Sequence, residues 1–419
     1  MTSEGAITRD ELLARFRRVR ARTEELAAPL SAEDQSLQSM PSASPTKWHR
    51  AHTTWFFETF VLAPRGVPAV DARYGFLFNS YYESVGERHA RARRGMLSRP
   101  SRDEVTRYRA AVDARVVEVI AALDEKEIAA LAPVMQLGLA HEEQHQELLL
   151  TDILHAFSEN PIRPAYRGRA DAKRAIADEP MRFVAFDGGV VTIGADDEGF
   201  AFDNERPRHR VWLEPFAISD RLVTVRELKA FVADGGYRTA SLWLSDGWDA
   251  VQSEKIAAPL YAKMDGGALV VFGLDGTREA LDDEPVTHVG FYEADAIARW
   301  LGARLPSEAE WEIAASRARL DGNFVDDGAL RALPARGSGV RQLFGDAWEW
   351  TRSSYDPYPG YAPATDALGE YNGKFMVSQI VLRGGSCFTP RGHVRASYRN
   401  FWLPSTRFQV TGIRLAKDV

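Results

Sequence analysis

The sequence contains one cysteine, Cys387, so no intramolecular disulfide can form within the chain. It has no apolar run of about 18 residues, which predicts that no helix spans a membrane. A formal net charge of −7 and the lack of a basic block argue against nucleic acid as a partner. The segment 1–5 lacks the apolar core of a signal peptide. We therefore expect a cytoplasmic protein with neither a membrane nor a nucleic-acid partner.

The chain has 419 residues, of which 45% are hydrophobic and 26% charged, as is typical of a globular enzyme with one or more large cores. Its composition changes near residue 165, where a basic, alanine-rich linker at 167–173 follows a helix-patterned half. Glycine, tryptophan and short strand-like runs dominate afterwards. We predict a first domain over residues 1–165 and a second over residues 175–419.

Four amphipathic helices are predicted in the first domain, separated by polar or glycine- and proline-rich segments. Their expected bounds are 8–30, 45–60 with Ser44 as N-cap, 101–123, and a fourth that ends near Asn160. The segment 61–100 is expected to be irregular. Four helices with one long crossing segment indicate a bundle whose core can hold a metal ion. The second domain is predicted to be α+β, with helices near 225–233 and 294–302.

A histidine pair lies on the fourth predicted helix. His141 and His145 are four residues apart and so share one helix face, where two imidazoles can bind one ion. Nearby acidic residues are candidate acceptors that fix the ring tautomers: Glu142, Glu143, Glu147 and Asp152. The pattern also matches the H-E-x-x-H motif of zinc proteases, so spacing alone leaves a metalloprotease open. A chance pair on a surface helix is equally compatible.

A metal site of this kind needs a third ligand. The second helix offers His49 and His52, three residues apart among aromatic residues, and either can face the bundle interior. His155 follows His145 by ten residues, or about 15 Å along the helix, which is too far to reach the same ion. Three neutral imidazoles suit either Zn²⁺ hydrolysis or Fe²⁺ oxygen chemistry.

Motifs in both halves carry a resemblance to a known family. They are Ser44-Pro-Thr-Lys-Trp-His-Arg-Ala-His-Thr-Thr-Trp-Phe-Phe-Glu58, Phe78-Asn-Ser-Tyr-Tyr-Glu83, His141-Glu-Glu-Gln-His-Gln-Glu-Leu-Leu-Leu150, Arg304-Leu-Pro-Ser-Glu-Ala-Glu-Trp-Glu312, Phe344-Gly-Asp-Ala-Trp-Glu-Trp350 and Leu382-Arg-Gly-Gly-Ser386. Over nearly its full length the chain resembles the EgtB family of sulfoxide synthases of ergothioneine biosynthesis. The resemblance implies a DinB-like four-helix bundle followed by a C-type-lectin-like domain of the formylglycine-generating-enzyme (sulfatase-modifying factor) type.

The resemblance also implies a cofactor and a reaction. It assigns a mononuclear Fe²⁺ to His52, His141 and His145, and thereby selects the second histidine of the Trp-His-Arg-Ala-His motif. The implied reaction uses O₂ to join a thiol sulfur to the imidazole carbon of hercynine (Nα-trimethylhistidine) and oxidises the sulfur to a sulfoxide. Formylglycine-generating enzymes use a cysteine pair, so the single cysteine, at position 387, argues against that activity.

Further site residues follow from the same motifs. Tyr81 and Tyr82 match a tyrosine pair that supplies a proton or hydrogen atom to the oxygen species. Gln144 and Asn400 match residues that bind the substrate imidazole. Candidate aromatic faces for the trimethylammonium group are Phe401, Trp402 and Tyr398. Arg88 is a candidate to bind the carboxylate of cysteine or γ-glutamylcysteine. Arg91, Arg93 and Arg94 are further candidates, but a solvated basic loop explains these three equally well.

Some stretches depart from the family pattern. They are Val223-Thr-Val-Arg-Glu-Leu228, Met376-Val-Ser-Gln379 and the segment 401–410, which is where the donor is expected to bind. One branch of the family joins a selenosugar to hercynine on the way to selenoneine, and these departures make that activity an alternative. Two further alternatives stay open at this point: a non-catalytic metal-dependent binding protein and a zinc hydrolase.

Overall fold

A computed structural model describes residues 7–168, 180–363, 369 and 372–419. These residues divide into two compact units. The first consists of residues 7–160, 197–202, 363 and 369, and the second of residues 161–168, 180–196, 203–362 and 372–419. The predicted linker at 167–173 lies mostly outside the described residues. The predicted domain bounds stay predictions.

The first unit is helical. Its α-helices are α1 (Arg9–Ala27), α2 (Thr46–Phe57), α3 (Tyr74–Phe78), α4 (Arg102–Ala122) and α5 (Glu125–Glu159). Helices α1, α4 and α5 begin at capping boxes, in which a side chain three residues into the helix bonds back to the N-cap backbone. The four long helices agree closely with the predicted ones. No helix in the described ranges is both long and apolar enough to cross a membrane.

The start of α2 differs from the prediction. Pro45 occupies the N-cap position, and Ser44 does not cap the helix. The Ser44 N–H instead donates to Asp152 Oδ2 at 2.7 Å, and its hydroxyl accepts from Arg94 Nη1 at 2.9 Å. Since both groups of Ser44 are engaged by α5 and a loop, the serine serves tertiary packing instead of the helix end.

The segment after α2 is more regular than predicted. A π-helical turn, Glu58–Leu62, continues α2, and short 3₁₀ turns and α3 follow. The buried Glu58 carboxylate accepts from the Val70 backbone N–H and from the Tyr108 hydroxyl, each at 2.7 Å. These bonds tie the segment to α4, a long-range interaction that local glycine and proline content does not indicate.

Helix α2 packs against both α4 and α5, and α1 packs against α5. Gly138 of α5 lies at the α2 contact, where a Cβ atom would be 2.7 Å from a carbon of the Phe56 ring and 2.9 Å from one of the Phe57 ring. Such distances are below van der Waals contact, so this approach of the two helices requires glycine.

The second unit combines short strands with short helices. Its strands are β1 (Phe183–Phe186), β2 (Gly189–Ile193), β3 (His209–Leu213), β4 (Phe216–Ser219), β5 (Ala262–Asp265), β6 (Ala268–Gly273), β7 (Gly276–Glu279), β8 (Trp348–Ser354), β9 (Ile380–Arg383), β10 (Asn400–Trp402), β11 (Thr411–Gly412) and β12 (Ala416–Asp418). They form sheets in the orders β1-β4-β12, β10-β9-β8-β11, β2-β3 and β5-β6-β7. Only the β8–β11 pair is parallel among the described strands. The predicted α+β class is confirmed.

The helices of the second unit are α6 (Val225–Ala233), α7 (Ser245–Glu254), α8 (Phe291–Trp300) and α9 (Glu308–Ser316). The prediction found α6 and α8 but missed α7 and α9. Helix α9 begins at a capping box in which Ser307 and Glu310 bond reciprocally. That signal is visible in the sequence as Ser-x-x-Glu after a proline.

The glycine at the α2–α5 contact gives a first testable prediction. In Gly138→Ala, overpacking costs about 1–3 kcal/mol while helix propensity returns about 1 kcal/mol, so we expect a net destabilisation of roughly 1 kcal/mol. Gly75→Ala in α3 is the matched control, since no heavy atom lies within 4 Å of its added Cβ. Urea unfolding of both variants tests this prediction. If the Gly138→Ala and Gly75→Ala variants unfold at the same urea concentration, the packing argument is wrong.

Candidate metal centre

Three histidines from two helices meet in the core of the first unit. His141 and His145 lie one turn apart on α5, and His52 faces them from α2. One ring nitrogen from each can be chosen so that all lie within 4.8 Å of one another. Within this set, His52 Nε2 and His141 Nε2 are 3.1 Å apart.

The orientation of the His52 ring is fixed by a hydrogen bond to its Nδ1 and by two tryptophan rings that stack on it. Its Nδ1 lies 2.6 Å from the Phe78 carbonyl oxygen, to which it donates, so the neutral ring keeps its lone pair on Nε2. Trp48 and Trp55 stack on the ring, with centroid distances of 4.5 and 5.6 Å. The lone pair is therefore directed towards His141.

The environment keeps all three imidazoles uncharged. Burial is the main cause that lowers the pKa of His52 and of His145 well below the usual value, and neighbouring imidazoles add to it. Burial also lowers the pKa of His141 to about 3, although Glu142 opposes the shift. Neutral imidazole is the form that binds metal ions.

These residues fit a transition-metal ion. Two nitrogens bound to one ion at about 2.1 Å lie roughly 3.0–3.4 Å apart for angles between square and tetrahedral. The distance of 3.1 Å between the Nε2 atoms of His52 and His141 lies in that range. Three neutral nitrogen donors without a thiolate suit Fe²⁺ or Zn²⁺.

His49, the other candidate ligand on α2, contacts His145 and a carboxylate of α5. Its Nδ1 is 2.8 Å from His145 Nδ1, and its Nε2 is 2.9 Å from Asp152 Oδ2. Asp152 thus takes part in the imidazole network, as predicted for an acceptor, but reaches the ligand through a second histidine.

Glu142 has a different environment from the one predicted. Its carboxylate accepts from Arg20 and Arg109 at 2.8 Å each and from the Thr23 hydroxyl at 2.6 Å. Burial alone would raise the pKa of Glu142, but the two guanidinium groups outweigh burial and lower it to about 2. A carboxylate held in this way cannot serve as the general base of a zinc protease, so the H-E-x-x-H match is coincidental.

The tyrosine pair packs on the aromatic side of the site. Tyr82 is fully buried, with its ring centroid 5.6 Å from that of Trp55. Tyr81 is partly exposed and stacks on Tyr82 at 4.6 Å, with the two hydroxyl oxygens 3.5 Å apart. Trp55 also stacks on His52, so the pair is one aromatic ring removed from a candidate ligand.

The two glutamines next to the histidines differ in environment. Gln144 is partly exposed on α5, whereas Gln146 is buried and donates to the Val19 carbonyl and the Thr23 hydroxyl. Gln146 therefore stabilises the α1–α5 contact.

The arginines predicted to bind the donor also differ. Arg88 is exposed and forms an ion pair with Glu83, with which a donor carboxylate would compete. Arg94 is buried, lies 3.4 Å from the centre of the Trp48 ring and donates to Ser44. The interpretation of Arg94 as part of a solvated loop is wrong, because its cation packs on an indole of the site.

The predicted substrate residues of the second unit form β10. The Asn400 side-chain oxygen accepts from the Phe401 N–H at 2.8 Å, and Phe401 stacks on Tyr355 at a centroid distance of 4.0 Å. Trp402 packs edge-on against Phe408. Tyr398 is buried against Trp348, which leaves little of its ring for a ligand.

Comparisons with known proteins match both units. The DinB superfamily profile matches residues 15–149, and that of the sulfatase-modifying factor enzyme 1-like domain matches residues 169–333 and 328–419. A protein named hercynine oxygenase from Mycobacterium tuberculosis is 32% identical over 98% of this chain and 99% of its own length. This chain belongs to the hercynine oxygenase family. Membership confirms the predicted resemblance, the two-domain fold and the prediction of an oxidoreductase.

A second hercynine oxygenase, from Mycolicibacterium thermoresistibile, is also 32% identical and covers 90% of this chain and 88% of its own length. The formylglycine-generating enzyme of Streptomyces coelicolor is 30% identical but covers 56% of this chain. The similarity to the formylglycine-generating enzyme concerns one domain, whereas the hercynine oxygenases match both.

The Glu142 ion pairs give a second prediction. Glu142→Gln should destabilise the protein by about 3 kcal/mol, because it leaves two buried guanidinium groups without their shared counter-charge. This loss of unfolding free energy is at the low end of the range for a broken buried ion pair, because Arg20 retains its ion pair with Asp113 and Arg109 retains its ion pair with Glu24.

The matched control is Glu118→Gln at an exposed position of α4, which should change stability by less than about 0.5 kcal/mol. Urea unfolding compares the two. A Glu142→Gln variant as stable as this control would show that the buried ion pairs do not stabilise the bundle.

Proposed function

We propose that this member of the hercynine oxygenase family uses Fe²⁺ and O₂ to join a sulfur donor to the imidazole carbon of hercynine, and that cysteine is the donor. The observation that carries the proposal is a set of three imidazoles, two buried and one half-buried, whose nitrogens lie within 4.8 Å of one another, with one pair 3.1 Å apart. The names of two full-length relatives support hercynine as the substrate.

His52, His141 and His145 would hold the iron, which when bound would supply activation of O₂ and a site for sulfur. The residues around the ligands do the rest. Trp48 and Trp55 keep His52 in place and exclude water from one side of the centre. The apolar surroundings that lower the pKa of each ligand also keep protons from competing with the ion.

The remaining substrate contacts are proposals from the motifs. Gln144 would bind the hercynine imidazole, because an amide both donates and accepts, and Asn400 is the second amide that the motifs assign to this role. Phe401 and Trp402 would receive the trimethylammonium group on their ring faces. Arg88 would exchange its Glu83 partner for the donor carboxylate.

Selenosugar is the second candidate donor. Arg407, in the segment that departs from the family pattern, donates to the Glu293 carboxylate at 2.6 Å and to the Ala258 carbonyl. This arginine is committed to protein partners, so it offers little to an amino-acid carboxylate. A sugar donor lacks such a group and does not need it.

A turnover assay tests the function. Protein loaded with Fe²⁺ without air is mixed with hercynine, then air and either cysteine, γ-glutamylcysteine or a selenosugar, and products are identified by mass spectrometry. We expect a hercynine–cysteine sulfoxide, and no product from His141→Ala. A selenium adduct alone would replace the sulfur proposal. Absence of oxygen uptake with every donor would contradict the proposed reaction.

The metal itself is checked separately. Protein purified without air should contain about one Fe²⁺ per chain by elemental analysis, and the His52→Ala variant should contain far less. Zinc at that stoichiometry, with no gain of activity on iron loading, would instead indicate the hydrolase alternative.

The tyrosine pair gives a further prediction. If a phenol supplies the proton or hydrogen atom, Tyr81→Phe or Tyr82→Phe should lower the rate of sulfoxide formation by about 10²-fold or more while iron content is unchanged. Tyr74→Phe is the matched control, because Tyr74 packs against Tyr108 in the same unit. Equal rates in all three variants would rule out a phenolic donor.

A further inference from the structure

His49 is a buried histidine for which the proposed reaction has no use. It is 3% exposed and lies one turn before His52 on α2. Both ring nitrogens are engaged: Nδ1 with His145 Nδ1 at 2.8 Å and Nε2 with Asp152 Oδ2 at 2.9 Å. The ring therefore connects a carboxylate to a candidate metal ligand.

The direction of these bonds follows from the carboxylate. An ionised Asp152 only accepts, so His49 must carry a proton on Nε2. The 2.8 Å contact places one proton between the two facing Nδ1 atoms. Binding of an ion through His145 Nε2 requires that this proton belong to His145 Nδ1 and that the lone pair of His49 Nδ1 accept it. A neutral His145 protonated on Nδ1 has its lone pair on Nε2, the nitrogen that is then able to bind an ion.

Asp152 is itself held in place. The Oδ2 atom that accepts from His49 also accepts from the Ser44 backbone N–H at 2.7 Å, and Arg94 donates to the Ser44 hydroxyl. The side chain of Asp152 is 6% exposed. The loop before α2 thus holds the carboxylate in place. Ser44 binds Asp152 and Arg94 and therefore does not cap the helix.

We propose that His49 and Asp152 are positioning residues that select the Nδ1-protonated tautomer and the ring orientation of His145, and so prepare its Nε2 for the metal ion. This inference rests on the proposed metal site. It differs from the usual arrangement, in which a carboxylate or carbonyl contacts the ligand directly. His52 follows that usual arrangement through the Phe78 carbonyl, whereas His145 is reached through an intervening imidazole.

Binding of Co²⁺, a spectroscopic substitute for Fe²⁺, tests the inference without turnover. His49→Leu removes the acceptor for His145 and should weaken Co²⁺ binding by about 10- to 100-fold and shift the visible Co²⁺ absorption. His49→Asn places an amide oxygen near the former Nδ1 position, and should recover part of the affinity. Metal-free thermal unfolding shows whether each variant is folded.

Two further variants complete the test. Asp152→Asn keeps an oxygen that accepts from His49 and Ser44 but removes the charge, and should weaken Co²⁺ binding by about 10-fold. His155→Leu is the matched control on the same helix, since His155 bonds to the Ser39 hydroxyl at 2.7 Å and not to a candidate ligand. Its Co²⁺ affinity should equal that of the wild type.

The outcomes separate the inference from the proposed site. Wild-type protein that binds no Co²⁺ would contradict the metal site itself. Wild-type binding with equal affinity and spectrum in His49→Leu would overturn the positioning role and leave the site intact. If His49→Leu does not fold, Asp152→Asn decides: unchanged affinity and spectrum overturn the inference, and a loss with a shifted spectrum supports it.

Discussion

The candidate metal centre depends on how closely α2 and α5 approach. His52 comes from one helix and the other two candidate ligands from its neighbour, so their separation is set by the helix packing. Gly138 allows that packing, because Phe56 and Phe57 occupy the volume that a side chain would need. The aromatic residues of α2 therefore have two roles: they fill the core and they determine the distance at which three imidazoles face one another.

Buried charge fixes the rotation of α5 about its axis. Glu142 follows His141 directly, about 100° further around the helix axis, and its carboxylate binds Arg20 of α1 and Arg109 of α4. A carboxylate with two guanidinium partners tolerates little displacement, because each shift would break a hydrogen bond in a dry environment. One turn of α5 thus carries imidazoles on one face and a charge network on another. The match to a protease motif comes from this structural function.

Sequence reasoning found the long helices, the α+β class and the histidines, because periodicity and capping are local signals. It left His49 and His52 undecided, since both lie on one helical turn and only the Phe78 carbonyl and the Asp152 carboxylate distinguish them. It misjudged Ser44 and Glu142, and it left the role of Arg94 open, for the same reason. Their partners are distant along the chain, and residue type and spacing contain no information about which buried charge will meet which helix.

The stacking of His52 between Trp48 and Trp55 has an optical consequence. Both indoles lie in van der Waals range of the ring that would bind the ion, and an open-shell ion quenches an excited indole at such distances. The intrinsic fluorescence of these two tryptophans would therefore report occupancy of the centre directly. Arg94, which lies on the outer face of Trp48, would shift the emission of that indole through its charge. The protein thus carries a built-in spectroscopic probe beside a candidate metal ligand.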